Sequence, residues 1–295
     1  IIYAILFIFC DIIIYQIKMN SRFGYKKWSQ HKKKLHRRRK NYKKGTFIPR
    51  IIADTNIWYQ LGKDDALFDA IKDKLTPIYN NLWEMSNTGA LYKKPDLVRN
   101  GIRKVMLCSK KMIIAEPLKY LIKRANRNYQ VKIGTYTKQM LIFTQKIANG
   151  YYIDEKQKEQ FYNYIQQSKE PLNQIANNFN MTAFECKNKI KNYKKHRQTN
   201  TYFLVVQYLD FLARQATNNL FGLRKLPLKE YELLVLVLDK YFKELETGER
   251  KWERNDLFDL FNLAYIRRGD KYWTNERKWI DIIKAVGCEH YLYQS

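Results

Sequence analysis

From about Lys110 to Leu245, apolar side chains return every three or four residues, as in Phe161 to Ile165, Tyr202 to Leu212 and Tyr231 to Leu245, with few strand signals between them. A 3.6-residue period over so long a stretch confines the middle of the chain to α-helices. Strand signals survive at the flanks, where Arg50 to Ala53 and Lys271 to Trp273 each read as a short strand. The expected class is α/β, with two strand–helix flanks and a helical insertion between them. That predicts residues 50–109 and 246–295 as two halves of one unit and 110–245 as the insertion.

Local signals fill in the flanks. The first strand runs into Asp54-Thr55-Asn56, residue types that favour the turn leaving a strand end, and Ala66 to Leu75 follows with helical spacing. Thr76-Pro77 reads as a helix start, with Thr76 as N-cap and Ile78, Leu82 and Met85 on one face. In the second flank Asn255 caps a helix through Ile266, Arg267-Arg268-Gly269 ends it, and Arg277 to Val286 forms a last helix. Within the insertion, Pro171 to Ala176, a polar turn at Phe179-Asn180-Met181-Thr182, and Cys186 to Ile190 have the spacing of a helix-turn-helix, its second helix carrying Lys187, Lys189, Lys191, Lys194 and Lys195. An ordinary helical hairpin gives the same pattern and is the preferred reading.

Charge narrows the partners. The 295 residues hold 55 Lys and Arg against 28 Asp and Glu, a formal charge of +27, while 45% apolar content leaves ample material for a core. A polyanion is the expected partner. From Met19 to Ala53 there is no acidic residue, and Lys32, Lys33, Lys34, Arg37, Arg38, Arg39, Lys40, Lys43 and Lys44 crowd residues 19–49, interleaved with Tyr25, Trp28, Tyr42 and Phe47. This segment reads as a flexible basic arm for nucleic acid, its aromatics able to stack on bases; the alternative is a solubilising tail. Residues 1–18 form an apolar run broken by Asp11, expected to lie upstream of a true start at Met19 in preference to serving as a membrane anchor.

Cys10, Cys108, Cys186 and Cys288 are scattered, with no C-x-x-C, so neither zinc nor a disulfide framework is expected and a reducing cytoplasm is the simplest setting. His31, His36, His196 and His290 offer little to histidine acid–base chemistry.

Acidic residues, by contrast, fall at telling places. Asp54 follows the first strand, Glu84 sits on the next helix, Asp256 and Asp259 are three apart on a later helix, and Glu276 follows the last strand. Strand ends are where ligands collect in open α/β sheets, and converging carboxylates suit Mg²⁺ or Mn²⁺. Beside a bound polyanion, such ions activate water against a phosphodiester. Taken singly, each acid also has a structural explanation as a turn, cap or first-turn residue.

Ile51-Ile52-Ala53-Asp54-Thr55-Asn56-Ile57-Trp58 resembles the opening strand of the PIN-domain nucleases. Thr76-Pro77 through Leu82-Trp83-Glu84-Met85 is similar to that family's second acidic segment, and Asp256-Leu257-Phe258-Asp259, Gly269 and Trp273-Thr274-Asn275-Glu276 to its closing half. The resemblance covers roughly residues 50–100 and 250–290. It implies a PIN-like three-layer fold with a central, mostly parallel sheet, and Mg²⁺ or Mn²⁺ held by Asp54, Glu84, Asp259 and Glu276, with Asp256 either an extra ligand or a substitute for Asp259. It also implies cleavage of single-stranded or structured RNA, favoured over DNA. Glu276 stands where the family more often has Asp, and the insertion between the second and third acidic elements is unusually large. Two readings follow: a metal-dependent endoribonuclease, as toxin or defence effector with a protein antitoxin or regulator, or a non-catalytic nucleic-acid-binding protein on the same scaffold. A membrane-tethered nuclease is a weaker third.

Overall fold

Two three-residue strands tie the two flanks of the described chain together. The structure, a computed structural model, describes residues 49–189, 209–223 and 225–294. Residues 1–18, the basic run from Lys32 to Lys44, and Lys191, Lys194 and Lys195 lie outside the described residues. β1 (Ile51–Ala53) runs parallel to β2 (Lys271–Trp273), with Ile51 opposite Lys271, Ile52 opposite Tyr272 and Ala53 opposite Trp273. Single parallel bridges widen the ladder, from Leu75 to Ile51 on one side and from Leu292 to Tyr272 on the other. Parallel pairing needs a crossover, and here the crossover is the whole helical middle. β1 is buried throughout, which is why it reads as an unbroken apolar run.

An ion pair fixes the register at the start of both strands. Arg50 donates from Nε to Asp270 Oδ1 at 3.0 Å and from Nη2 to Asp270 Oδ2 at 2.5 Å, and Asp270 Oδ2 also accepts from the Arg267 backbone N–H at 2.9 Å. Asp270 is buried, so this two-pronged pair is shielded from solvent competition.

Helices make up most of what remains, so the fold is mixed α/β and mainly helical. They are α1 (Thr55–Leu61), α2 (Asp65–Ile71), α3 (Tyr79–Ser86), α4 (Ala90–Lys93), α5 (Pro95–Leu107), α6 (Pro117–Ala125), α7 (Thr135–Ala148), α8 (Glu155–Lys189), α9 (Glu232–Thr247), α10 (Asp256–Asn262) and α11 (Arg277–Ala285). Residues 209–216 are also helical. Buried residues from the flanks, such as Ile52, Trp58 and Trp279, belong to the same apolar cluster as Leu121, Leu233 and Val237 from the middle. The helical stretch thus shares its core with the flanks, and each fully buried Leu, Ile or Val contributes about 1.5–3 kcal/mol.

Two local readings of the sequence need correction. Helix α3 starts at Tyr79 and not at Pro77, because the Thr76 N–H is taken by the Ile51 carbonyl at 2.9 Å, which keeps Thr76 extended beside β1; Asn81 Oδ1 instead accepts from the Ile78 N–H at 3.0 Å. Residues 171–182 contain no turn and belong to the single helix α8. Asn180, read as part of a polar turn, docks that helix on another segment: its Nδ2 donates to the Trp252 carbonyl at 3.0 Å, and its Oδ1 accepts from the Trp252 N–H at 2.6 Å. A polar residue with a tertiary partner does not have to end a helix.

Candidate functional site

Asp54 stands at the carboxyl end of β1, where the sheet hands over to α1. Its N–H donates to the Trp273 carbonyl at 2.8 Å, so its position is set by β2 as much as by its own strand. Its carboxylate is 2% exposed and held from two directions: Oδ1 accepts from the Thr55 N–H at 2.7 Å, and Oδ2 from the Thr274 hydroxyl at 3.2 Å. Burial and the nearby negative charge of Glu276 still push its pKa up from 3.8.

Helix α3 carries Glu84 to the same place. Asn81 pins the helix to the strand end, its Nδ2 donating to the Ala53 carbonyl at 3.0 Å. Trp83 stacks on Phe258 of α10 with centroids 4.1 Å apart and planes at 18°, and Asn80 Nδ2 donates to Asn262 Oδ1 at 2.7 Å. These two ties set α3 against α10, so Glu84, next to Trp83, and Asp259, next to Phe258, are held at the same junction. Glu84 Oε1 is buried without a hydrogen-bond partner. Burial first, then the charge of Asp54, drives the Glu84 pKa upward.

Asp259 feels all three other acids. Its pKa is pushed up to about 9, mainly by burial and then by Asp54, Glu276 and Glu84 in turn. Glu276, at the start of α11, accepts from Asn56 Nδ2 at 3.3 Å, and its pKa is raised by burial against the lowering effect of Lys278. The buried Trp279 indole N–H is near enough to lower the pKa of both Asp259 and Glu276, although its geometry to neither meets that of a well-formed hydrogen bond. Asp54, Glu84, Asp259 and Glu276 are therefore brought to one place from four separate segments.

Asp256 is placed differently. Its Oδ2 accepts from the Tyr241 hydroxyl and, at 2.8 Å, from the Glu253 N–H, while Oδ1 accepts from Lys278 Nζ. Both oxygens are engaged, and the residue is 2% exposed. Lys278 thus lies between Asp256, which it pairs, and Glu276, whose pKa it lowers.

Sequence reasoning missed Tyr272. Its phenol is fully buried in β2, has no hydrogen-bond partner, and has its pKa held well above 10 by burial and then by the charges of Asp54, Asp259, Glu276 and Glu84. An unpartnered hydroxyl that feels all four carboxylates faces their cluster. The alternation of β2 carried a signal for it, since a Tyr between Lys271 and Trp273 has to point to one face or the other.

The donor chemistry fits a hard divalent cation: four carboxylates, one buried oxygen without a partner, and mutual repulsion that a bound positive charge would relieve. As the side chains stand, no group of three His, Cys, Asp or Glu among the described residues is arranged to hold an ion. Compared with protein-family models, curated proteins and solved structures, the chain matches none. No helix among the described residues is long and apolar enough to cross a membrane.

Proposed function

We propose that the protein is a metal-dependent endonuclease, acting on RNA in preference to DNA, single-stranded or structured. The observation that carries this reading is the meeting of Asp54, Glu84, Asp259 and Glu276, each with a raised pKa, at the end of β1 where Thr274 and the Thr55 N–H hold the Asp54 carboxylate. Collecting one buried and three half-buried acids costs stability unless something positive binds them. In a chain of charge +27, such a concentration of negative charge is local and specific.

Asp54, Glu84, Asp259 and Glu276 would hold Mg²⁺ or Mn²⁺. Bound there, the ion would lower the pKa of a water and neutralise charge on the scissile phosphate. The chain's own work is to hold the ligands: Thr274 and the Thr55 N–H fix the Asp54 carboxylate, Asn81 and the Trp83–Phe258 stack set Glu84 against Asp259, and Asn56 steadies Glu276. Asp256 belongs to the support, through Tyr241 and Lys278, and not to the ligand set.

In this reading the ladder Leu75, β1, β2 and Leu292 is the central sheet of a PIN-like three-layer fold, and residues between α5 and α9 are an insertion that chooses substrate. A cytoplasmic toxin or defence effector, restrained by a protein antitoxin or regulator, is the setting that suits such an activity. The second reading is a nucleic-acid-binding protein without catalysis, favoured by the lack of a ready-formed ligand group among the described residues.

Incubation of the purified full chain with labelled single-stranded RNA, in Mn²⁺ or in EDTA, decides between them. Cleavage that needs the metal and disappears in Asp54→Asn is the expected result. Binding without cleavage by the wild-type protein would leave only the second reading.

A further inference from the structure

A connected run of aromatic rings crosses α7 and α8, and much of it faces water. Tyr164 shares a hydrogen bond with Tyr136 and stacks on Phe161, with centroids 6.3 Å apart. Phe161 lies 6.3 Å from Phe143, whose ring meets Tyr151 edge-on at 6.0 Å. Next in sequence is Tyr152, its ring 3.7 Å from the Arg99 guanidinium and its hydroxyl donating to Asp96 at 3.0 Å. Tyr136, Tyr151, Tyr152 and Tyr164 are nonetheless 45%, 38%, 48% and 44% exposed. Single exposed aromatics are ordinary on a protein surface, whereas a contiguous row of them marks a contact face.

The surroundings indicate what would cover it. Between Glu116 and Asp154 the sequence has no acidic residue, and Lys132, Lys138 and Lys146 on this stretch are exposed. Aromatic rings on a helix that also presents Lys138 and Lys146, with Arg99 against Tyr152 and with Asp96, Asp154, Glu155 and Glu159 as the acids at the Tyr152 end, match a single-stranded polynucleotide, whose bases stack and whose phosphates need cations. The Tyr136 end of the row is tied to the last turn of the helix that carries Glu84. Asn87 Nδ2 donates to the Tyr136 hydroxyl at 3.4 Å, and the Asn87 N–H donates to the carbonyl of Glu84 at 3.2 Å.

We propose that the row from Tyr136 through Tyr164 and Tyr151 to Tyr152 is a stacking platform for single-stranded nucleic acid, leading a strand toward Glu84. It rests on the nuclease reading only for the direction in which the strand runs. Each ring is already fixed by a neighbour, so little side-chain freedom is lost when a base settles on it. Tyr152, braced from one side by Arg99 and held at its hydroxyl by Asp96, keeps about half of its surface in solvent for a stacking base.

The test is fluorescence anisotropy of the full chain in EDTA with labelled strands of about ten nucleotides. Oligoadenylate RNA, its DNA counterpart and an abasic sugar-phosphate strand of equal length and charge are compared. Removing Tyr136, Tyr152 and Tyr164 together as alanine is expected to weaken binding of both base-bearing strands by about 10- to 100-fold. Binding of the abasic strand should hold, and the triple Tyr→Phe protein should bind as wild type does. A folded triple-alanine protein with unchanged affinity for the base-bearing strands would overturn the platform. Should that variant fail to fold, photocrosslinking of wild type to a 5-iodouridine strand replaces it: crosslinks within residues 136–164 support the platform, and crosslinks found only elsewhere, such as residues 19–49, overturn it. Because these measurements exclude metal, base-dependent binding without Mn²⁺-dependent cleavage would sink the nuclease reading alone, and cleavage without base dependence at these tyrosines would sink the platform alone.

Discussion

The Thr274 hydroxyl donates to Asp54 Oδ2 at 3.2 Å across 220 residues of chain, joining the end of β2 to the end of β1 at the centre of the carboxylate cluster. The same Thr274 oxygen accepts from the Glu276 N–H at 3.1 Å, so one side chain steadies two of the four acids. Thr274→Val keeps the shape and removes both bonds. We expect a loss of about 1 kcal/mol in stability, together with a fall in metal-dependent cleavage of about tenfold from the misplaced Asp54. Steady-state rates beside urea melts would check it; wild-type cleavage in the variant would show that Asp54 does not depend on this hydroxyl.

Asp259 makes stability depend on pH. Its folded pKa, about 9, lies above its ordinary value of 3.8, so between those values the folded chain holds a proton that the unfolded chain releases. The contribution is thus present at low pH and is lost as pH rises toward 9; Asp54 and Glu84 are shifted the same way. Without divalent metal, the wild-type protein should melt at a lower temperature at pH 8 than at pH 6. Asp259→Asn should flatten that slope and stabilise the protein at pH 8 by on the order of 2 kcal/mol, while abolishing cleavage. An unchanged slope would remove Asp259 from the group.

Divalent metal should reverse the penalty. Mn²⁺ or Mg²⁺ binds the ionised carboxylates and competes with their protons, so the melting temperature at pH 8 should rise with metal concentration and respond far less at pH 5. Chelation with EDTA should return it. Differential scanning fluorimetry across a metal titration would read this directly, and equal shifts in Asp259→Asn would place the ions elsewhere.

Asp256 and Asp259 are separable by what they lose. Asp256→Asn leaves the Lys278 ammonium and the Tyr241 hydroxyl without their carboxylate in a buried setting, so it should cost about 3 kcal/mol of stability. Asp259→Asn should spare or raise stability and remove metal binding. Isothermal titration with Mn²⁺ on both proteins distinguishes them, and a stable Asp256→Asn protein that no longer binds metal would return Asp256 to the ligand set.

The Arg50–Asp270 pair holds the strands in register. Arg50→Met leaves the buried Asp270 with the Arg267 N–H and a looser pairing to the Arg267 guanidinium at 3.9 Å, at an expected cost of about 3 kcal/mol by denaturant unfolding. Replacing both residues with apolar ones of similar volume should recover most of that loss.

Read by itself, the chain shows its strands, most of its helices and the segments where acids would serve. Ile51 to Ala53 is apolar because both faces are covered, and the 3.6-residue period of Tyr231 to Leu245 suffices for a helix. Local patterns misled where long-range partners intervene. Thr76 has the chemistry of a cap but bonds to Ile51, and Asn180 has the chemistry of a turn but docks on Trp252.

What the sequence determined was the set of elements and the placing of Asp54, Glu84 and Glu276 near their ends, because hydrophobic period and turn chemistry act over a few residues. Only the tertiary structure separates the surroundings of Asp256 from those of Asp259. Three residues apart on one short helix, they differ because Tyr241 and Lys278, from other helices, occupy the first, while Asp54, Glu84 and Glu276 surround the second. The same holds for Tyr272, whose unpartnered hydroxyl acquires meaning from four charges brought by distant segments. Burial and Coulomb repulsion depend on distances through space between parts of the chain some 220 residues apart, and no local pattern encodes those distances.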